Sequence, residues 1–324
     1  MSPIVLVFNV TDANGQVALP LRGFTGTVNV DWGDQTTDNF TVQGTTAPHT
    51  YTNTGSYTVT ITGQVTSYGY NAGGIAGVQY LTDVVSWDNG YITNLSWAFS
   101  IGAAHLTAVP NTLPSTVTNI VGLFAAASTF NQDISGWNIS NVTNTDFAFY
   151  FTASFNQPLN SWNTSNVRSM QLMFYGSAFN RPLNAWNISN VADMSSMFNS
   201  SGLSTSNYSS TLLGWAAQTV HSNVYLGAGT IHYYSNAQSS RDVLTNAPNN
   251  WTIADGGSVP APPTIVLVFN VTDANGQVVL PLRGFTGTVS VDWGDQTTDN
   301  FTVEGTTAPH TYTNTGSYTV TITG

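Results

Sequence analysis

The stretch FNQDISGWNISNVTN at residues 130–144 returns as FNQPLNSWNTSNVRS at 155–169 and as FNRPLNAWNISNVAD at 179–193, with starts 25 and 24 residues apart. Trp137, Trp162 and Trp186 keep one phase, Val142, Val167 and Val191 follow in register, and Met170/Met173/Phe174 matches Met194/Met197/Phe198. A period of roughly 20 to 29 residues predicts a solenoid, in which one turn cannot bury its apolar face alone and stacks on its neighbours. Weaker units over 81–105 and 106–129 extend the array to about five turns.

Outside this array lies a longer repetition. Residues 4–63 recur at 265–324 with an offset of 261 and differ at only three positions: Ala18/Val279, Asn29/Ser290 and Gln43/Glu304. Such identity implies a recent duplication or a window of a tandem array with a 261-residue period. The window is favoured, because the second copy stops where the first runs on into Gln64. Each copy reads as strands, from Ile4-Val5-Leu6-Val7-Phe8 through Thr25-Gly26-Thr27-Val28-Asn29-Val30 to Ser56-Tyr57-Thr58-Val59-Thr60-Ile61. Asp12-Ala13-Asn14-Gly15, Trp32-Gly33-Asp34 and Asn53-Thr54-Gly55 supply the turn residues between them. Short strands at this spacing predict a small β-sandwich.

Val30-Asp31-Trp32-Gly33-Asp34, His49-Thr50-Tyr51 and Gly55-Ser56-Tyr57-Thr58-Val59-Thr60 resemble the PKD-type immunoglobulin-like module, and Asp292-Trp293-Gly294-Asp295 with His310-Thr311-Tyr312 repeats the resemblance. Gln35 and Gln296 stand where that family usually has Gly. The Phe-Asn-Gln, Trp, Ser-Asn-Val and Met-Phe units resemble the BspA-like leucine-rich repeats of bacterial surface proteins. Residues 208–218, with Leu212-Leu213-Gly214-Trp215, and residues 251–257 look like the segment that closes such arrays. The resemblance implies a mainly β chain with short helices: a PKD-like β-sandwich (1–64), a leucine-rich-repeat solenoid (65–202), a closing cap (203–257), a Pro-rich linker (258–264) and a second PKD-like β-sandwich (265–324). Repeat architecture, near absence of charge and a duplicated end module point to a non-enzymatic structural or adhesive protein of a cell surface or the extracellular space, a unit of a repetitive fibre or head-to-tail filament. The expected partners are other copies of the chain, associating through the identical end modules. An adhesin module holding glycans or host surface proteins is the alternative reading, and a virion or phage fibre is a third.

Composition excludes much else. The chain of 324 residues has 5 basic residues, all Arg, against 16 acidic ones; it lacks Lys and Cys, and Glu304 is its single Glu. Only 6% of residues are charged, against about 25% in an average soluble domain. Nucleic acid is therefore excluded as a partner, since neutralising phosphates needs clustered cations. Schiff-base lysine, P-loop and thiol chemistry are excluded with it. No apolar run approaches the roughly 20 residues of a membrane span, and Met1-Ser2-Pro3 enters a strand-like segment without a charged leader. Gly-x-Ser-x-Gly, His-Glu-x-x-His and phosphate-loop motifs are absent, so neither catalytic residues nor a cofactor are expected.

Two sets of residues remain as site candidates. Asp31, Asp34 and Asp38, with Asp292, Asp295 and Asp299, place three carboxylates within eight residues in each copy, a start on a calcium site. Calcium takes about six to eight oxygens, so the competing reading is that they organise the turn. Twelve Asn-x-Ser/Thr triplets occur among 33 Asn. Asn138, Asn163 and Asn187 form a column of glycosylation candidates, joined by Asn9, Asn39, Asn270 and Asn300 in the duplicated ends. The ladder alone also favours Asn in this column, because Asp side chains stacked about 5 Å apart would repel. The in-phase Trp residues read as core rather than as a sugar-stacking strip, and Asn131, Asn156 and Asn180 as amides bonding between turns. His49 and His310 read as packed, hydrogen-bonded residues.

Overall fold

The computed structural model describes residues 2–69, 76–87, 90–283, 288–302 and 305–323; Glu304, one of the positions at which the copies differ, lies outside them. The chain packs as two compact units, residues 1–259 and residues 260–324. It is mainly β, and among the described residues no helix is long and apolar enough to cross a membrane.

The first unit opens with β1 (Ile4–Val10), β2 (Gly15–Asp31), β3 (Thr37–Phe40), β4 (Thr45–Tyr51), β5 (Gly55–Tyr68) and β6 (Leu81–Ser86). Alternation decides which faces are buried: Ile4, Leu6, Phe8 and Val10 point into the core from β1. The first part of β2 pairs with β4, and the rest with β3 and β5. This one strand therefore serves three ladders, and its register against β5 shifts around Gly23, as a bulge requires. The main path runs β3-β2-β5-β1-β6, so β1 is hydrogen-bonded on both edges, to β5 and to β6.

The end of β5 is also the first rung of the stack. Ser67 bridges to Asn94, and parallel bridges continue through Asn94, Asn119, Asn144, Ser169 and Asp193 before Met194 meets Leu226. Each step is bonded the same way. The N–H groups of Trp97, Phe99 and Ile101 donate to Val121, Leu123 and Ala125, and those of Phe147, Phe149 and Phe151 donate to Gln171, Met173 and Tyr175. On the other side of the turn Thr118, Thr143 and Arg168 donate to Thr93, Thr118 and Thr143.

Side chains repeat this ladder in the interior. The indole N–H of Trp137, Trp162 and Trp186 donates to the carbonyl of Pro110, Ile134 and Leu159, 2.7–3.0 Å away on the preceding turn. Trp162 and Trp186 stack at 6.3 Å and 3°, and Phe149, Phe174 and Phe198 stack at 5.5 and 6.1 Å. At the turn starts Asn156 N–H donates to Asn131 Oδ1, Asn180 N–H to Asn156 Oδ1 and Ser204 N–H to Asn180 Oδ1. The Ser-Asn-Val positions form a second amide column, where Asn141, Asn166 and Asn190 donate to Ser115, Ser140 and Ser165 carbonyls.

The stack is closed by α1 (Thr205–Ala216), β7 (Tyr225–Gly227), β8 (Tyr233–Tyr234), α2 (Gln238–Thr245), β9 (Thr252–Ala254) and β10 (Ser258–Val259). Ser204 caps α1 by accepting from the Asn207 N–H. Trp215 continues the indole column onto Leu183, and the Asp255 side chain, 2% exposed, is held by Arg241 at 2.9 Å and by the Tyr208 hydroxyl. One apolar core runs unbroken from Ile4 to Trp251, across residue 64.

The second unit contains β11 (Thr264–Val271), β12 (Gly276–Pro281), β13 (Val289–Asp292), β14 (Thr298–Phe301), β15 (Thr307–Tyr312) and β16 (Gly316–Thr323). β11-β16-β13-β14 form one sheet and β12-β15 a second, and Leu280, Val291, Trp293, Ala308, Tyr312 and Val320 from both sheets share a core of their own.

The indole column makes a direct prediction. Trp162→Ala leaves a cavity beside Trp186 and the Ile134 carbonyl unpaired, and should lower the stability of the first unit by about 3–5 kcal/mol. Trp162→Phe keeps most of the packing and should lose about 1–2 kcal/mol. Urea denaturation of the full chain reads both, and equal losses would show that the hydrogen bond rather than the ring carries the column.

Candidate functional site

Each carboxylate of the Trp-Gly-Asp turn serves a different donor. Asp31 accepts from the Gly33 N–H at 2.9 Å, Asp34 from Thr36, and Asp38 from the Trp32 indole N–H at 2.8 Å. The second oxygen of Asp34 lies 2.8 Å from His49 Nε2, and His49 stacks on Trp32 at 4.5 Å and 11°. The Tyr51 hydroxyl closes the cluster on the Trp32 carbonyl. Asp292, Asp295 and Asp299 repeat the arrangement with Gly294, Thr297, His310 and Trp293. Among the described residues no group of three His, Asp or Glu side chains converges as a metal site would need. Within each turn the three Asp residues thus serve separate donors rather than one shared point.

Asn138, Asn163 and Asn187 are exposed, and their Oδ1 atoms accept from the N–H two residues on, at Ser140, Ser165 and Ser189. Turns joined by a β-type ladder are about 4.8 Å apart, so sugars on all three would compete for the same space. Asn9, Asn39, Asn270 and Asn300 are exposed on strands of the two modules. Asn9 lines a groove of about 400 Å³ together with Asp12, Gln79, Tyr80 and His105, and Asn39 accepts from Asn29. Trp137, Trp162 and Trp186 are at most 3% exposed and present no face to a ligand.

A different aromatic set does face outward. Trp97, Phe147, Tyr150 and Tyr175 are half-buried on the stacked turns and Phe151 is 47% exposed. Trp97 lies 5.5 Å from Phe147, Phe147 5.6 Å from Tyr150, Tyr150 5.4 Å from Tyr175, and Phe151 5.4 Å from Tyr175. Their neighbours Ala148 and Phe149 point inward, so the segment divides its side chains between core and surface.

The backbone beneath this face is unusual. Residues 97, 122, 147, 172 and 196 form one column at positive φ, and 101, 126, 151, 176 and 200 form another. A non-glycine residue there carries about 1–2 kcal/mol of steric penalty, yet only positions 122 and 176 are Gly; Trp97 (φ 58), Phe147 (φ 58) and Phe151 (φ 52) take it with aromatic side chains. The two glycines have a specific reason. A Cβ on Gly122 would stand 2.4 Å from the Trp97 ring, and one on Gly176 2.7 Å from the Phe151 ring. Each ring is laid over the bare backbone of the next turn, and sequence periodicity alone does not distinguish it from a core ring. The available signal was aromatic excess, Phe147-Ala148-Phe149-Tyr150-Phe151, beyond what one inward stripe can use.

The Asp34 and Asp295 turns predict an acid response. Partial burial pushes the Asp34 carboxyl upward, but the Thr36 hydroxyl and amide and His49 outweigh it and hold the group below the usual carboxylate range; Thr297 and His310 do the same for Asp295. A carboxyl depressed in the folded state stabilises fully above its unfolded value near 3.9, and that contribution is lost as the pH falls below it. The double variant Asp34→Asn/Asp295→Asn should therefore be less stable at pH 7 and show a shallower fall as the pH drops below about 4. Urea midpoints over that range check this, and parallel pH profiles for variant and parent would refute it.

No curated protein and no solved structure matches the chain. Residues 93–215, the segment that carries the aromatic face and the repeating turns, match a family described as Mycoplasma protein of unknown function, DUF285.

Proposed function

We propose that this chain is a non-enzymatic structural and adhesive protein of a cell surface or the extracellular space, whose stacked turns form a BspA-like leucine-rich-repeat solenoid between PKD-like β-sandwich modules. The outward aromatic face is its adhesive site, and its ligand is a neutral saccharide. The observation that supports this reading is the placement of Trp97, Phe147 and Phe151 at positive φ. Glycine is the default there, so bulky rings persist against the local preference, and strain of this kind gathers at ligand-binding surfaces. An outward aromatic ring offers apolar contact to the C–H side of a sugar ring, and a chain with 6% charged residues selects against charged partners. Self-association through the two near-identical modules is compatible with this role and gives many weak sites their combined strength.

Binding of the full chain to an array of neutral glycans, followed by titration of the best binder, tests the proposal. Tyr150→Ala and Phe151→Gly should each weaken binding about tenfold, in line with about 1–2 kcal/mol for each ring removed. Phe151→Gly should at the same time leave stability unchanged to within about 1 kcal/mol, since relief of the backbone strain offsets the weaker packing of the turn. Absence of binding across the array, or unaltered binding by both variants, overturns the assignment and moves the ligand to a protein surface.

A further inference from the structure

The two near-identical modules bury their residues differently. Eight core residues of the second module, Leu280, Leu282, Val289, Val291, Trp293, Ala308, Tyr312 and Val320, are buried as are their counterparts 261 positions earlier. The β11 edge is not. Ile265, Val266, Leu267 and Val268 are 55%, 57%, 36% and 64% exposed, where Ile4 and Leu6 are 2% and 0% exposed and Val5 and Val7 half-buried. Phe269, Val271, Val278 and Ile322 are likewise only partly buried, against full burial of Phe8, Val10, Val17 and Ile61. The reason is geometric: among the described residues the facing sheet β12-β15 has two strands against four, and strands are about 4.8 Å apart.

The first module shows what completes the cover. β6 pairs with the outer edge of β1, Val78, Tyr80, Leu81 and Val84 are buried in the common core, and polar contacts fix the register. Thr82 donates to the Val7 carbonyl at 3.2 Å, Tyr80 to Asp12 at 2.6 Å, and the Ala18 N–H to the Ala76 carbonyl at 2.9 Å. The three groups of residues 4–63 that receive these contacts recur in the second module, as the Val268 carbonyl, the Asp273 carboxylate and the Val279 N–H. Val279 replaces Ala18 and is 49% exposed, so the only difference between the copies at these positions adds apolar surface.

We propose that the open edge and face of the second module, β11 with Ile265, Leu267 and Val279, are the seat of a further copy of segment 76–109 with its stacked turns, which adds a strand to β11 as β6 does to β1. A long apolar edge strand left bare is a template for strand addition and for aggregation. The homologous seat in the first module specifies which strand it takes.

The test compares the 324-residue chain with an extended chain in which a second copy of residues 64–259 follows Gly324. Amide hydrogen exchange over 264–271 is read against the homologous 4–10. In the 324-residue chain β11 should exchange at least about a hundredfold faster than β1, and in the extended chain the two should converge. Leu267→Asp should leave the 324-residue chain folded and remove the added protection in the extended one. The proposal is overturned if 264–271 stays labile while the added turns fold, or if the added turns fail to fold on a seat that matches their own. Protection of 264–271 in the 324-residue chain that grows with concentration would also overturn it, since a second molecule's edge would then be the occupant.

Discussion

Stacking by translation is the constraint from which the rest of this structure follows. When each turn lies one hydrogen-bond spacing from the next, every side chain sits against the residue one period away, and a column of one residue type persists only where that residue packs on itself. Indoles and phenyl rings satisfy this by parallel stacking, as Trp162 on Trp186 and Phe149 on Phe174 do. Amides satisfy it by being donor and acceptor at once, which is why Asn131, Asn156 and Asn180 form one column and Asn141, Asn166 and Asn190 another. A charge fails the test, because a column of like charges about 4.8 Å apart repels itself. The low charge content is thus a property of the architecture before it is a property of any ligand.

The ladder also explains why residues 1–259 form one unit. The rung Ser67–Asn94 carries β5 directly into the stack, and β6 returns to bond β1. The N-terminal module closes its core only with this help. Its near-copy in the second unit, with the same Trp-His-Tyr cluster and the same turn carboxylates, keeps the inner half of the core and leaves the outer half open. One sequence thus gives two burial patterns, and the difference lies in the neighbour rather than in the strands.

What could be read from the sequence follows the same logic. Columns made of one residue type were legible: the Trp phase marked the core, and the Phe-Asn-Gln phase marked the amide ladder that bonds turn to turn. The turn role of Asp31, Asp34 and Asp38 was visible as one of two readings, and only the directions of their oxygens separate it from a converging cluster. The positive-φ columns were illegible, since Trp97, Phe147, Leu172, Ile101 and Ala126 carry none of the glycine signal that such backbone normally shows. The outward aromatic face was hidden for a related reason: Phe147 and Phe149 are two residues apart, yet one is on the surface and the other in the core.

The pairing of β1 on both edges has a mechanical meaning. β1 is antiparallel to β5 and to β6, so tension drawn along it does not peel one bond after another but shears two ladders together. Bonds loaded in parallel share the force, and the first event under load must break both sets at once. The edge strand β11, bonded on one side only among the described residues, gives way to the same pull at lower force. Occupation of its free edge would therefore convert this edge strand into one bonded on both sides as β1 is, and the resistance of the chain would rise with each such edge filled.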